Sequence, residues 1–175
     1  LVFEPGLWYF IQKNWDALLK DESGFLMRKV ISKGAGWKMK IVASDERETK
    51  GQRELLNFGH TLGHALESAC GLGTLRHGEA VIWGMRAALR LSVRYAGLPR
   101  ADAAAVESFL SKIKVPLPAD IDQRRLLEAC RKDKKARRGK VRFVLLRRLG
   151  RPTLMSGLSD AAVLKAIEPL LGVGD

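Results

Sequence analysis

The 175-residue sequence predicts a mainly α-helical, multihelical domain with one small β-hairpin. Over most of the chain, apolar residues recur at the three- and four-residue spacing of helices that pack on one side. One stretch, KVRFVLL, alternates apolar and polar side chains as a half-buried strand does. No glycine-rich loop follows a strand signal, so these residues predict no nucleotide-binding βαβ unit.

Three helices are predicted in the first seventy residues. Residues 6–20 carry a continuous apolar stripe, which predicts one unbroken helix. Residues 23–44 carry a second stripe, and we expect Gly34 and Gly36 to kink or split that helix. Residues 53–70 predict a third helix, because leucines, alanines and one phenylalanine supply a regular apolar face.

The remaining elements are a central helix, several shorter helices and the hairpin. Residues 79–95 are apolar nearly all round, which predicts a helix in the middle of the core. Aspartates stand near the starts of the shorter helices, where they are favoured as caps. These helices are predicted at 102–113, 124–132 and 159–170, with Asp102, Asp122 and Asp160 near their starts. The hairpin is predicted from Val141, Phe143 and Leu145 and from a second short strand near 152–154.

The composition is that of a globular protein. Hydrophobic residues make up 46% of the chain and charged residues 29%, which excludes a disordered chain. No apolar run approaches the roughly 20 residues that span a bilayer, and no signal or lipidation motif is present, so we expect a cytoplasmic protein without a membrane partner. Cys70 and Cys130 are expected to be buried free thiols. The first residue is Leu1 rather than Met, which indicates a fragment.

Positive charge is concentrated near the carboxyl end. Residues 131–151 contain eleven of the 31 lysines and arginines and a single acidic residue. Such a run can bind nucleic acid, hold a phosphorylated substrate or form a solvated loop. Phe143 is its only aromatic residue, which argues against stacking on single-stranded bases.

All three histidines fall within eighteen residues. His60 and His64 are four positions apart, so a helix places them on one face, and His77 is expected on a loop that can reach the same face. Imidazoles grouped in this way are candidate metal ligands. The alternative is that each is an ordinary core histidine. A zinc protease motif is excluded, because Thr61 stands where that motif needs a glutamate.

Polar residues extend this face toward the amino end of the predicted third helix. Arg53, Asn57, His60 and His64 stand at positions i, i+4, i+7 and i+11, and we therefore expect them along one side of it. A guanidinium, an amide and two imidazoles together favour an anionic ligand beside a metal ion. The alternative is a solvated helix face.

Three longer runs carry a family resemblance. They are KMKIVASDERETKGQRELLNFGHTLGHALES, LRHGEAVIWGM and RKDKKARRGKVRFVLL, which occur in this order over nearly the whole chain. Together they resemble the C-terminal domain of the 3-dehydroquinate synthase family. The resemblance implies a helical metal- and substrate-binding domain over residues 1–175, with an N-terminal NAD-binding domain that is absent from this chain.

The resemblance also implies an activity. Members of the family use NAD and a divalent metal, usually zinc or cobalt, and act as homodimers. They convert the anionic sugar phosphate 3-deoxy-D-arabino-heptulosonate 7-phosphate into 3-dehydroquinate and phosphate in the shikimate pathway. NAD transiently oxidises a ring alcohol, which acidifies the neighbouring C–H so that phosphate can leave.

Specific roles follow from the matching motifs. By resemblance, His60 and His77 are metal ligands, His64 serves proton transfer and the phosphate site, and Glu48 does acid–base work. Further matches are expected to bind substrate: Lys38, Arg53, Asn57, Lys134 and Lys135. Arg53 and Lys38 are assigned to the substrate carboxylate, whereas one of the two adjacent lysines is assigned to the phosphate.

Two departures from the family pattern limit this reading. The third metal ligand of the family is a glutamate that would precede Leu1, and Glu4 stands in a different context, VFEPG. The second departure is the absence of the NAD-binding domain. With two metal ligands of three and no dinucleotide site, we expect the isolated chain to be inactive. A smaller anomaly is that ETKGQR, which includes Lys50, carries one residue more than the family spacing and so affects the register of Glu48.

Two other functions remain open from the sequence. One is a related sugar phosphate cyclase of the 2-deoxy-scyllo-inosose synthase type, whose substrate has no carboxylate and gives Arg53 no role. The other is a non-catalytic nucleic-acid-binding domain built on the basic run, although we expect nucleic acid not to be the partner.

Overall fold

The computed structural model describes residues 1–47, 49, 51–71, 73–116, 121–136 and 141–170, with the side chains of 132–136 left out. Within these residues the chain forms eight α-helices and one antiparallel hairpin. The helices are α1 (Pro5–Lys13), α2 (Trp15–Leu19), α3 (Phe25–Ser44), α4 (His60–Cys70), α5 (His77–Leu91), α6 (Arg100–Leu110), α7 (Gln123–Ala136) and α8 (Asp160–Ile167). The strands are β1 (Arg142–Arg148) and β2 (Arg151–Ser156). The predicted fold class is confirmed.

The first two predicted helices differ from the observed ones in continuity. Residues 6–20 form two helices rather than one, because the backbone of Asn14 leaves helical geometry (φ −108°, ψ 19°) while its side chain donates to the Phe10 carbonyl at 2.8 Å. The second helix runs unbroken through Gly34 and Gly36, so the expected kink is wrong. Gly34 is exposed and Gly36 half-buried, and both keep helical geometry. Each weakens the helix by about 1 kcal/mol relative to alanine without interrupting it.

The predicted helix over 53–70 is wrong in its first third. A 3₁₀ turn spans Arg53–Leu56, and α4 begins only at His60. Between them Gly59 has a φ of 83°, which is a left-handed conformation that favours glycine. A Cβ at Gly59 would lie 2.5 Å from the backbone nitrogen of Met85, so the chain also passes too close to α5 for any side chain.

The core is centred on the antiparallel pair α4 and α5. The helices cross at small residues: a Cβ on Gly63 would lie 3.2 Å from the Ala80 carbonyl, and a Cβ on Gly84 would overlap the Gly59 carbonyl oxygen. Helix α7 packs against α4, and α8 packs against α5. The close crossing sets the first turns of α4 and α5, and thereby the positions of the histidines.

The hairpin covers one end of this core. Strand β1 pairs antiparallel with β2, and Phe143 lies opposite Met155. Residues Phe143–Leu146 are buried without alternation, so the strand is enclosed on both faces rather than on the one expected. The buried Ser92 hydroxyl accepts from the Leu146 amide at 2.9 Å, which ties β1 to the π-helical turn after α5.

Several smaller expectations can be compared with the structure. Asp122 accepts from the Arg124 amide at 2.8 Å and so caps α7 as predicted, whereas Ser159 rather than Asp160 caps α8. Cys130 is buried as predicted, but Cys70 is only half-buried. Among the described residues, no helix is both long and apolar enough to cross a bilayer.

Candidate metal and substrate site

Three imidazole rings converge at the start of α4 and α5. The ring centroids of His60 and His64 are 5.7 Å apart, those of His60 and His77 are 5.3 Å apart, and those of His64 and His77 are 5.4 Å apart. His60 and His64 lie one turn apart on α4, whereas His77 is the first residue of α5 rather than a loop residue. The expected grouping of the three rings is therefore present.

The ring nitrogens of two of these histidines are held by oxygen atoms. His60 Nδ1 lies 3.4 Å from the Phe58 carbonyl oxygen, and His77 Nδ1 lies 3.3 Å from Glu67 Oε2. When Nδ1 carries the proton and donates it to oxygen, Nε2 keeps its lone pair for a metal. His64 makes no such bond to a described residue, so the three rings are not equivalent.

His60 is also the histidine whose ionisation is perturbed. Burial lowers the pKa of His60 from its ordinary value of 6.5, and the hydrogen bond to the Phe58 carbonyl only partly opposes this. The neighbouring His64 and His77 lower the pKa of His60 further. Since metals bind the neutral imidazole, the environment of His60 favours the form that a ligand needs.

The donor set suits a divalent transition metal. Ligand atoms of His64, Glu67 and His77 lie within 4.8 Å of one another, which adds a carboxylate to the imidazoles. Nitrogen and carboxylate oxygen donors at this spacing fit zinc or cobalt. The predicted metal ligands are His60 and His77, and only His77 also belongs to the group of His64, Glu67 and His77. The assignment of His60 and His77 as ligands stays a prediction.

A cavity of about 60 Å³ opens beside the rings. Residues from the 3₁₀ turn, α4 and β1 line it: Glu54, Asn57, His60, Thr61, His64, Arg142 and Val144. Asn57 caps the 3₁₀ turn and reaches the cavity although it is not on α4. Three of the predicted site residues therefore share one space.

Four lining residues were not among the predicted site residues: Glu54, Thr61, Arg142 and Val144. Arg142 Nη2 lies 2.9 Å from Glu54 Oε2, and the Arg142 carbonyl accepts from the Thr61 hydroxyl at 3.0 Å. Arg142 was treated as part of the basic run. Its position between Val141 and Phe143 on a predicted strand was the signal that it faces away from its buried neighbours.

Arg53 lies near the site but not in the cavity lining. Its Nη1 donates to the Glu46 carbonyl at 3.3 Å, and its backbone amide donates to the buried Asp45 carboxylate at 3.4 Å. The expectation that Arg53 and Asn57 share a helix face with the histidines is wrong, because the 3₁₀ turn and Gly59 separate them from α4.

Of the other predicted site residues, the structure describes the side chain of Lys38 alone. Lys38 is exposed on α3 and does not line it. Glu48 lies outside the described residues. Lys134 and Lys135 belong to the last turns of α7, and their side chains lie outside the description. A larger groove of about 840 Å³ beside α5, α6 and α8 contains none of the predicted site residues.

Solved structures with this fold are sugar phosphate cyclases. The chain matches 2-epi-5-epi-valiolone synthase from Streptomyces hygroscopicus subsp. jinggangensis 5008, solved with NAD⁺ and Zn²⁺, with a TM-score of 0.79 and 20% identity over 98% of this chain and 48% of that one. It matches 2-deoxy-scyllo-inosose synthase, solved with carbaglucose-6-phosphate, NAD⁺ and Co²⁺, with a TM-score of 0.66 and 26% identity. That second match covers 80% of this chain and 40% of the other. The first likeness concerns the fold alone.

Curated relatives are more similar in sequence. The 3-dehydroquinate synthase of Rhodospirillum rubrum is 40% identical over 175 residues, covering 95% of this chain and 45% of the relative. The enzyme of the same name from Bordetella pertussis is 39% identical over 169 residues, covering 96% and 46%. The chain thus spans about half the length of the curated relatives that it matches.

The family profile described as "3-dehydroquinate synthase C-terminal" matches residues 1–136. This match takes in the 3₁₀ turn, all three histidines and the whole of α7. Together with relatives at about 40% identity over nearly the whole chain, it shows the family. The chain belongs to the 3-dehydroquinate synthase family and corresponds to the C-terminal domain of its members.

Proposed function

We propose that this chain is the metal- and substrate-binding half of a 3-dehydroquinate synthase. The substrate is 3-deoxy-D-arabino-heptulosonate 7-phosphate, and the products are 3-dehydroquinate and phosphate. Relatives that bear this enzyme name match 95% of the chain, which supports the proposal. The observation that carries it is the convergence of three imidazoles beside a cavity that also holds Asn57.

His60 and His77 are the proposed metal ligands from this chain. Each has its Nδ1 beside an oxygen atom and its Nε2 left for coordination. A bound zinc or cobalt ion would polarise the substrate hydroxyls and stabilise negative charge on oxygen. Both ligands stand at the first residue of their helices, so the α4–α5 crossing determines the distance between them.

His64 is the proposed proton-transfer group. It lines the cavity beside His60, and it makes no hydrogen bond to a described residue that would hold its ring nitrogens. Imidazole can accept and donate protons near neutral pH, as the elimination of phosphate requires. Asn57, in the same lining, is proposed to orient a substrate hydroxyl through its amide.

The remaining predicted residues complete the proposed substrate contacts. Glu48 is proposed for acid–base work, and Lys38 and Arg53 for the substrate carboxylate. Lys134 or Lys135 is proposed to hold the phosphate as a point charge. Asp45 supports this set, because its buried carboxylate accepts from the Gln52 and Arg53 amides and anchors the segment before the 3₁₀ turn.

NAD is proposed to bind a second domain that this chain lacks. Among the described residues no strand is followed by a phosphate-binding loop, and the curated relatives are about twice as long. We propose that the complete enzyme is a homodimer in the cytoplasm, as in the family, and that the 175-residue chain alone does not turn over substrate.

A second candidate is a 2-deoxy-scyllo-inosose synthase type of cyclase. The likeness to such an enzyme, at 26% identity and a TM-score of 0.66, favours it specifically. The two candidates differ in whether the substrate carries a carboxylate, so Arg53 separates them. Arg53 is a half-buried residue on the 3₁₀ turn, near but not in the cavity lining.

Cobalt binding to the 175-residue chain tests the ligand assignment. We expect His60→Ala and His77→Ala to lose binding, and His64→Ala to retain it. Cys70→Ser is the control, because the Cys70 thiol at the end of α4 is a further group that could bind cobalt. We expect this variant to retain cobalt binding. If His64→Ala lost cobalt binding and His60→Ala retained it, the metal ligands would instead be His64, Glu67 and His77.

Activity is tested in a fusion of the chain to the N-terminal half of the Rhodospirillum rubrum relative. We expect phosphate release from 3-deoxy-D-arabino-heptulosonate 7-phosphate and none from glucose 6-phosphate. His64→Ala is expected to abolish turnover while metal stays bound. Turnover of glucose 6-phosphate alone would favour the second candidate.

A further inference from the structure

Glu67 is the acidic residue nearest to the histidine cluster that the proposed mechanism does not use. It stands on α4 one turn beyond His64, at the end of the helix that lies opposite the start of α5. The antiparallel crossing of the two helices therefore brings Glu67 to His77, ten residues away in sequence. Glu67 Oε2 lies 3.3 Å from His77 Nδ1.

The contact decides which nitrogen of His77 is available. A carboxylate accepts hydrogen bonds, so it favours the tautomer with the proton on Nδ1 and leaves the lone pair on Nε2. The side chain of His77 is 55% exposed, and no other described residue hydrogen-bonds its ring. The rings of His60 and His64 also contact this ring, but among the described residues only Glu67 is within hydrogen-bonding distance of its nitrogen atoms.

The His60 ring is oriented in a different way from the His77 ring. Its Nδ1 faces the Phe58 carbonyl, a backbone atom whose position the Gly59 turn determines. The two proposed ligands are thus oriented by different means, one by the main chain and one by a side chain. Only the orientation of His77 depends on the identity of a single residue.

We infer that Glu67 is a positioning residue that orients His77 for metal binding. The inference rests on the proposed role of His77 as a ligand. A different arrangement, in which Glu67 itself coordinates the ion, is compatible with the 4.8 Å spread of ligand atoms. The observed contact favours the positioning role, because Oε2 lies against the ring nitrogen of His77.

Competition with a chromophoric chelator gives the cobalt affinity of the 175-residue chain and its variants. We expect Glu67→Ala to weaken binding about 10- to 100-fold, the usual effect of removing such a partner. Glu67→Gln keeps an oxygen acceptor and should weaken it less. Glu128→Ala, which removes an exposed carboxylate from α7, is the control and should leave the affinity unchanged.

Two spectroscopic readouts separate positioning from coordination and from a general loss of structure. Nitrogen NMR of the metal-free chain should show the Nδ1–H tautomer of His77 in the unmodified protein, and a mixture in Glu67→Ala. X-ray absorption of the cobalt forms should show the same ligand set in both. Loss of one oxygen ligand in Glu67→Ala would overturn the positioning role and identify Glu67 as a ligand.

Other results also distinguish this inference from the proposed function. Unchanged cobalt affinity in Glu67→Ala, with normal binding by the unmodified chain, would overturn the inference alone. Absence of cobalt binding by the unmodified chain would overturn the proposed ligands and the inference together. Circular dichroism of each metal-free variant establishes that it is folded, and Glu67→Gln replaces Glu67→Ala if the alanine variant unfolds.

Discussion

Helix α3 and the α4–α5 pair carry similar apolar stripes but are packed differently. Helix α3 is 20 residues long and buries none of them; Phe25 and Ile31 are 64% and 61% exposed. Helix α4 has 11 residues, and its Leu62 and Leu66 are each 1% exposed. A helical stripe therefore predicts that a helix forms, but not that the stripe is covered.

The difference lies in how closely the backbones approach. Gly59, Gly63 and Gly84 let α4 and α5 cross with no room for a Cβ at two of the three positions. In α3, Gly34 and Gly36 face open space. The same residue type thus permits close packing in one region and only weakens a helix in the other, so glycine substitutions should have opposite effects in the two regions.

The largest expected effect is that of Gly84→Ala. Its Cβ would overlap the Gly59 carbonyl and lie 2.7 Å from the Gly63 nitrogen, which forces the helices apart. We expect a loss of at least about 3 kcal/mol in the free energy of unfolding. Gly36→Ala is the matched control and should gain up to about 1 kcal/mol. Urea denaturation followed by circular dichroism measures both, and equal effects would refute the proposed crossing.

The next largest difference between α4 and α3 is expected when apolar side chains are truncated to alanine. Leu66→Ala removes a fully buried side chain and is expected to cost about 2–5 kcal/mol. Ile31→Ala removes an exposed side chain and should change the free energy of unfolding by no more than about 0.5 kcal/mol. Chemical denaturation of the two variants decides the matter. A large cost at Ile31 would mean that the α3 stripe is covered in solution.

Arg142→Ala tests a polar contact of the tightly packed region. The side chain of Glu54 is 11% exposed and would lose its guanidinium partner, whereas Arg142 itself is 44% exposed and screened by water. We expect a loss of about 1 kcal/mol. Arg125→Ala breaks the exposed pair with Asp122 and should have no measurable effect. Equal denaturation midpoints of Arg142→Ala and Arg125→Ala would contradict the expected stabilisation by the pair of Arg142 and Glu54.

The smallest effect is expected at the start of α3. The Asp21 carboxylate accepts from the Ser23 hydroxyl at 2.6 Å and from the Leu26 amide at 2.6 Å. These bonds lower the pKa of Asp21 from its ordinary value of 3.8, chiefly through Ser23. Because the folded-state pKa is the lower one, this stabilisation is present above pH 3.8 and is lost as the pH falls through the folded value.

Asp21→Asn should therefore be slightly less stable than the unmodified chain at pH 5, and the difference should shrink at pH 3. Asp16→Asn, which removes an exposed carboxylate from α2, is the control for the loss of one negative charge. Denaturation curves at the two pH values provide the measurement. A difference between Asp21→Asn and the unmodified chain that grows on acidification would reverse the assigned direction of the pKa change.

Much of the architecture was predictable because it depends on local spacing. The apolar periodicity of 79–95 and the alternation around Phe143 correctly predicted α5 and β1. The closeness of His60 and His64 also follows from their four-residue separation on one helix. These features need only neighbouring residues and the fixed geometry of helices and strands.

The break before α4 was not predictable from the same pattern. Leu55, Leu56 and Phe58 continue the apolar spacing of α4, yet Gly59 turns the chain because α5 lies against it. Arg142 was missed for a similar reason: it reaches the cavity from a strand about eighty residues away. Strand alternation indicates that Arg142 faces away from Phe143, but it does not indicate that this face meets the turn before α4.

By itself, the sequence determined the helical class, the hairpin, the family motifs and the crowding of three histidines into eighteen residues. The tertiary structure decided which apolar stripes are covered, where the third helix begins and which oxygen atoms face the rings of His60 and His77. Local geometry is a property of consecutive residues. The approach of Gly59 to Gly84, or of Glu67 to His77, requires two helices to meet, and that meeting depends on the packing of the whole core.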